Sequence, residues 1–124
     1  MPSVAILGAS ADRSKFGNKA VRAFLARDYD VYPVNPKGGE VEGLPIYKSL
    51  ADIPADVQLD RISVYLPPAV GLKGLRDIAA RGCGELWLNP GTESDELVAA
   101  AEKQGLNVVQ ACSIVGIGVS PHDL

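Results

Sequence analysis

Apolar residues fall along this chain in short blocks of two kinds. Val4-Ala5-Ile6-Leu7 is a continuous run ending in Gly8-Ala9-Ser10. That is the pattern of a strand buried on both faces, followed by a tight turn. After a polar stretch from Ala11 to Asn18, Ala20, Val21, Phe24 and Leu25 recur at helical spacing, with Lys19, Arg22 and Arg27 between them. The spacing predicts a helix that stops near Arg27-Asp28. Asp30-Val31-Tyr32-Pro33-Val34 reads as a second strand, in which Pro33 needs an edge or strand-end position because it has no ladder donor. Asn35-Pro36-Lys37-Gly38-Gly39 is a loop, Val41 to Tyr47 has room for a short extended piece, and Ser49 is placed to cap a brief turn through Leu50-Ala51-Asp52. Arg61 to Leu66 is a strand halted by Pro67-Pro68. Ala69 to Arg81 reads as one helix, with Val70, Leu72, Leu75, Ile78 and Ala79 on its apolar side and Gly82 as its stop. Glu85 to Leu88 is a strand, Asn89-Pro90-Gly91 a turn, and Thr92 the expected cap of a helix running to Gly105, with Asp95 three residues on. Leu106 to Ala111 is the last strand.

Alternation of this kind predicts an α/β fold, a parallel sheet with helices on both faces. Right-handed crossovers leave few topologies. The expectation is a Rossmann-like doubly wound sheet of about five strands in the order 3-2-1-4-5, formed by residues 1–124 as a single domain. The length of 124 residues suits one domain and one core. The longest apolar runs are far short of the ~18–20 residues of a spanning helix, so no membrane role is expected. The net charge is −3 with no basic block, which argues against nucleic-acid binding. Two cysteines and one histidine are too few for a structural zinc site, and no metal ligands are assigned. The start Met1-Pro2-Ser3-Val4 has no basic and apolar leader, so a reducing cytoplasm with free thiols is expected.

Ligands of open α/β sheets bind outside the carboxyl ends of the strands, where the strand order reverses. Here those ends carry Gly8-Ala9-Ser10, Asn35-Pro36-Lys37, Leu66-Pro67-Pro68, Asn89-Pro90-Gly91 and Cys112-Ser113. Gly8 allows close approach to phosphate, and the following helix start offers free N–H groups and a positive dipole end. Arg13, Lys15 and Lys19, with Lys37 on the neighbouring loop, suit a ligand with several phosphates. A dinucleotide fingerprint, G-x-G-x-x-G with an acidic residue ending the second strand, is absent: the chain reads Gly8-Ala9-Ser10-Ala11-Asp12-Arg13 and Val34-Asn35-Pro36-Lys37. The mononucleotide P-loop is absent too. A cation after the second strand suits a ribose phosphate, which leaves NADP or coenzyme A. Flavin has no specific support. Coenzyme A suits the set better, because Tyr65-Leu66-Pro67-Pro68 offers an apolar wall for its pantetheine arm.

The ordered combination of Val4 to Ser10, Val31-Tyr32-Pro33-Val34-Asn35-Pro36, Tyr65-Leu66-Pro67-Pro68 and Leu86-Trp87-Leu88-Asn89-Pro90-Gly91 resembles the small stand-alone CoA-binding protein family. It is also similar to the CoA-binding domain that opens the alpha subunit of succinyl-CoA synthetase. The resemblance implies that Gly8, Ala9, Ser10, Arg13, Lys15, Phe16 and Gly17 hold the phosphates. It implies that Lys37, after Asn35-Pro36, meets the nucleotide end, that Tyr65, Leu66 and Pro67 contact adenine or pantetheine, and that Asn89-Pro90-Gly91 closes the site. The family usually carries Asp-Arg-Cys-Pro or similar at the last strand; Gln110-Ala111-Cys112-Ser113 keeps only the cysteine.

No catalytic residue is assigned. His122 is the only histidine and stands in a tail expected to be mobile, so no Ser-His-Asp set is possible. Glu93, Asp95 and Glu96 are better placed to favour a helix dipole. Cys112 ends the last strand on the crevice side, as a packed core thiol or a guard of the ligand end; Cys83 belongs to a turn at the opposite end, and Trp87 to the core. The expected function is non-catalytic binding of CoA or acyl-CoA. The alternatives are an NADP-dependent enzyme or a subunit supplying CoA to an acyl-CoA ligase assembly. Ile114, Val115, Ile117 and Val119 are the candidate surface for a homodimer or partner subunit, or else a loose terminus.

Overall fold

The computed structural model describes residues 1–124. Its sheet is built on β1 (Ser3–Leu7), in which all five residues are buried. The two faces of β1 open onto two cores: Val4 and Ile6 face α1 (Phe16–Ala26), while Ala5 and Leu7 face the opposite layer. That is why this strand is apolar without alternation. β2 (Asp30–Val34) and β5 (Arg61–Val64) flank β1 in parallel, and β6 (Glu85–Leu88) and β7 (Val108–Gln110) extend the sheet to the order β2-β1-β5-β6-β7. The chain therefore forms the expected Rossmann-like parallel sheet of five strands.

The strand order differs in one place from 3-2-1-4-5. Counted over the five sheet strands it is 2-1-3-4-5, because the segment beside β2 is hardly a strand. It touches β2 through a single parallel bridge, Val34 to Tyr47. There Tyr47 N donates to Pro33 O and Asn35 N to Tyr47 O, each at 2.9 Å. Just before it, β3 (Glu40–Val41) and β4 (Leu44–Pro45) form a separate hairpin, turned by Glu42 and Gly43 at φ of +47° and +79°. So the expected third strand is reduced to a one-residue contact, and the reversal of strand order stays between β1 and β5. Pro33 sits on this nearly open edge, as its missing donor requires.

The expected helix 69–81 is two helices, α2 (Pro68–Lys73) and α3 (Leu75–Arg81), jointed at Gly74. Glycine at the joint weakens helix continuity. α4 (Asp95–Lys103) is capped by Ser94, whose Oγ accepts from Leu97 N at 3.1 Å. Thr92, the expected cap, is buried and donates instead to Asn89 O at 2.7 Å. After β7 comes a short α5 (Ser113–Gly116) that seats Ile114, fully buried, against α1. Arg27 donates to Ile117 O at 2.9 Å and to Gly118 O at 2.8 Å, holding the end of this turn. The expected contact surface thus keeps only Val115 as a large exposed apolar side chain. The last residues form a turn at Pro121–Asp123. No helix is long and apolar enough to cross a membrane.

Candidate functional site

The carboxyl end of the sheet is organised around the turn after β1. Gly8 and Ala9 both donate to Val34 O, at 3.1 and 3.2 Å, which ties the first loop to the end of β2. Gly8 has φ of +89°, and a Cβ there would stand 2.5 Å from Tyr65 O. Only glycine lets the turn pass so close to the end of β5. A Cβ on Gly17 would overlap Gly8 O. Two glycines thereby bring the start of α1 directly against the β1 turn. No side chain caps α1. Its first N–H groups and positive dipole end therefore face the crevice uncovered, the arrangement that accepts phosphate. A cavity of about 380 Å³ opens there, lined by Gly8, Lys15, Phe16, Tyr65, Pro67 and Gly91 among others.

A second cavity of about 340 Å³ lies on the other side of Gly8 and Leu66, between Val34 and Pro36 on one wall and Val70 and Ile78 on the other. Its walls are mainly apolar, and its charged residues are Lys48, Lys73 and Asp77. Lys48 and Lys73 were not among the residues expected from sequence. Lys48 follows the reduced third strand, and its aliphatic stem crosses Gly38: a Cβ on Gly38 would stand 3.2 Å from Lys48 Cε. Lys37 is exposed on that loop, with its N–H donating to Asn35 Oδ1 at 2.9 Å.

The other expected residues divide between cavity-lining and supporting positions. Lys15, Phe16, Gly17, Tyr65, Leu66, Pro67, Pro90 and Gly91 line the central cavity with Gly8, and Pro36 lines the apolar slot. Ala9 is fully buried. Asn35 Nδ2 donates to Ala9 O at 3.0 Å, so this side chain joins two loops. Ser10 Oγ accepts from Asp12 N at 3.1 Å. Arg13 turns away from the cavities to Glu42 on the hairpin, Nη1 to Oε1 at 2.6 Å. Lys19 lies 5.2 Å from the centre of the Phe16 ring. Asp12 brings a negative charge to the same loop; its carboxylate accepts from Ser14 Oγ at 2.7 Å and Ser14 N at 3.0 Å, which lowers its pKa. The four-cation cluster of the sequence reading is thus dispersed, and Lys15, Lys48 and Lys73 are the cations that line the cavities.

Asn89 is a buried hub under the site. Its Nδ2 donates to Ser63 Oγ at 2.9 Å and Val64 O at 2.8 Å, and its Oδ1 accepts from Ser113 N at 2.7 Å. The Ser63 and Ser113 hydroxyls are 2.7 Å apart. This network joins the ends of β5 and β6 to α5. The buried Tyr65 hydroxyl stands beside Ser63 and Ser113, and burial raises its pKa. A third cavity, of about 310 Å³, continues from the central one past Phe16, Tyr65 and Pro90 to Cys112 and His122. His122 lies in the turn after Ser120. Cys83 lies at the other end of the sheet, where burial pushes its thiol up to about 11.

A parallel sheet with an uncapped helix start, a glycine-built turn and an adjoining apolar slot defines a Rossmann-like domain for a phosphate-bearing nucleotide ligand. Within that class the chain belongs to the CoA-binding domain family, whose profile matches residues 2–117. The resemblance read from the loop motifs is thereby borne out. The chain is similar to the alpha subunit of an ADP-forming acetate–CoA ligase I from Pyrococcus furiosus, with 33% identity over 98% of this chain and 29% of the relative. It therefore spans less than a third of that relative's length. Among solved structures it is similar to a conserved hypothetical protein from Pyrococcus furiosus, at 34% identity and a TM-score of 0.83, covering 94% of this chain and 99% of the other. It is also similar to the dinucleotide-forming acetyl-coenzyme A synthetase 1 of Ca. Korarchaeum cryptofilum, at 28% identity and a TM-score of 0.75, covering 88% of this chain and 25% of that one.

Proposed function

We propose that residues 1–124 act as one non-catalytic module that binds coenzyme A or its acyl thioesters. The observation that carries this reading is the continuity of an apolar slot with a phosphate-accepting helix start, joined through Gly8 and Leu66. The residues fit the group. The slot between Pro36 and Val70 takes the adenine. Lys48, with Lys37 on the loop outside, meets the phosphorylated ribose. The start of α1 and Lys15 take the pyrophosphate, and Tyr65, Pro67, Pro90 and Gly91 receive the pantetheine arm. Gly17, Asn35 and Asn89 hold these parts in place, and Ala9, Ser10 and Arg13 support the loop.

Cys112 and His122 line the third cavity, but no hydrogen bond joins them, and nothing near the slot forms a nucleophile–base pair. Binding and presentation of the ligand is therefore the role this geometry supports. Similarity to ligase subunits supports a place within such an assembly, as the part that supplies CoA to a partner subunit.

Native mass spectrometry of the freshly purified protein, followed by titration calorimetry with CoA, dephospho-CoA and NADP, tests the reading. CoA binding tighter than dephospho-CoA is the expected result. Binding of NADP in preference to CoA would overturn it.

A further inference from the structure

We propose that β7 is the contact strand of a symmetric dimer, in which a second copy of this chain adds its own β7 antiparallel and joins the two sheets into one. The first argument is a set of unused main-chain groups. Leu86 N donates to Asn107 O at 2.8 Å, and Trp87 stands opposite Val109 in the parallel ladder. Asn107 and Val109 therefore turn their polar groups toward β6, and Val108 and Gln110 turn theirs to the open side. Neither the N–H nor the C=O of Val108 or Gln110 has a partner within the chain. The other edge of the sheet is closed by contrast. There Pro33 has no donor to offer, and Tyr47 takes up the Pro33 carbonyl and the Asn35 N–H. β7 lacks the usual protections of an edge apart from its shortness: Leu106 to Cys112 contains no proline and no charge.

The second argument is self-complementarity. A twofold axis at Val109 sets Val108 opposite the second copy's Gln110, and Gln110 opposite its Val108. Each pair exchanges both hydrogen bonds, so every free group on the two strands finds a partner. The Val109 side chains meet across the axis. Each stands beside half-buried Trp87, on the face where the short α5 gives the only cover through Gly116. On the opposite face the two copies of α4 run head to tail. The acidic first turn of each, Asp95 and Glu96, comes toward the Lys103 end of the other, where Glu102 offsets part of the attraction. Three residues a side bury less than the ~1,200 Å² of a stable interface, so the association is weak and concentration-dependent. The two β7 strands point in opposite directions, so the crevices at the carboxyl ends open at opposite ends of the joined sheet and both stay accessible.

Sedimentation equilibrium of the full chain from about 10 µM to about 1 mM, a range suited to weak association, tests this. The average mass is expected to climb from that of one chain toward twice that value. Gln110→Pro removes a donor that only the dimer uses. It is expected to weaken association more than tenfold and to leave the thermal midpoint of the dilute protein unchanged. Val109→Lys sets like charges across the axis and is expected to weaken association as much. Cross-linking in a Cys83→Ser, Cys112→Ser background reads the register. Two copies of Val109→Cys stand about 4.5 Å apart at Cα and are expected to form an intermolecular disulfide under diamide, whereas two copies of Gln110→Cys lie beyond the ~7 Å limit and are expected not to. A monomer throughout the range would overturn the proposal and leave this edge to a strand of a different chain. A dimer that both Gln110→Pro and Val109→Lys leave intact, or one cross-linked through Gln110→Cys in preference to Val109→Cys, would place the contact elsewhere and overturn it too.

Discussion

Replacing Gly8 by alanine tests whether the turn after β1 is built on contact with the end of β5. The new Cβ would stand 2.5 Å from Tyr65 O and 3.2 Å from a Leu66 methyl, against the 3.4 Å at which ordinary contact begins. The backbone also holds φ at +89°. A left-handed conformation costs an L residue about 1–2 kcal/mol. Overlap with a backbone oxygen in a packed region adds about 1–3 kcal/mol. The stiffer unfolded chain returns only about 0.4–1 kcal/mol. The net loss is about 3 kcal/mol, or a Tm lower by roughly 10 °C for a chain of this size. Urea unfolding followed by the fluorescence of Trp87, the single tryptophan, measures it without ligand. CoA affinity is expected to fall more than tenfold as well, because Gly8 lines both the slot and the central cavity. A stability loss under about 1 kcal/mol would refute the reasoning, since a free relaxation of the turn would mean that it does not press on Tyr65.

Lys48→Glu is expected to weaken CoA about tenfold more than dephospho-CoA at low salt, with the difference shrinking as salt rises; equal losses for the two ligands would detach Lys48 from the ribose phosphate. Asn89→Ala leaves Ser113 N and Val64 O without this partner, while Ser63 Oγ keeps the Ser113 hydroxyl; at about 1–3 kcal/mol for each group left unsatisfied, denaturant titration should register a loss of at least about 2 kcal/mol. Ser94→Ala removes the cap of α4 and is expected to cost about 1 kcal/mol, while an unchanged midpoint would return the capping role to Thr92. The Cys83 thiol is raised to about 11 from an ordinary value of 9.0, so the unfolded chain loses this proton first and stability falls as pH rises from about 9 to 11. Cys83→Ala should flatten that slope in unfolding curves taken across the window, and an unaltered slope would show that the thiol does not titrate between the two states.

The fold was legible because its strands are bounded by residues with strong backbone rules. Gly8, Pro67-Pro68 and Asn89-Pro90-Gly91 stop three parallel strands at one end of the sheet, and periodicity alone placed α1 and α4. The joint at Gly74 escaped because Leu72, Leu75 and Ile78 keep a helical spacing across it; the apolar face continues while the backbone resets. The third strand escaped because its contact is a single bridge, below any pattern that alternation can carry. In the site, glycine turns and Lys15 were readable from local spacing. Lys48 and Lys73 were not, since they come from two separate segments and meet only across the slot. Arg13 was placed among the phosphate cations because nothing local reveals Glu42, its partner across the hairpin. The support given by Asn89 was hidden for the same reason: its acceptors and donor lie on β5 and α5.

A net charge of −3 looks unfavourable for a ligand carrying several phosphates, but the charge is unevenly arranged along the sheet. Asp28, Asp30, Asp60 and Glu85 stand at or beside the amino ends of the strands, where Arg61 meets Glu85 at 3.6 Å. Lys15, Lys48 and Lys73 stand at the carboxyl ends, where the start of α1 adds its own partial positive charge. The two carboxylates closest to the first loop are occupied. Glu42 is neutralised by Arg13, and Asp12 is turned into Ser14. On the CoA-binding reading, Arg13 acts by neutralising Glu42, so its contribution is indirect, through the field and not through a hydrogen bond to phosphate. Interactions of this kind are screened within about 8–10 Å at physiological salt, so the overall charge matters less than these neighbours. On the CoA-binding reading, Lys15, Lys48, Lys73 and the start of α1 then outweigh Asp77 at the carboxyl ends, and a polyanion is steered to that end of the sheet.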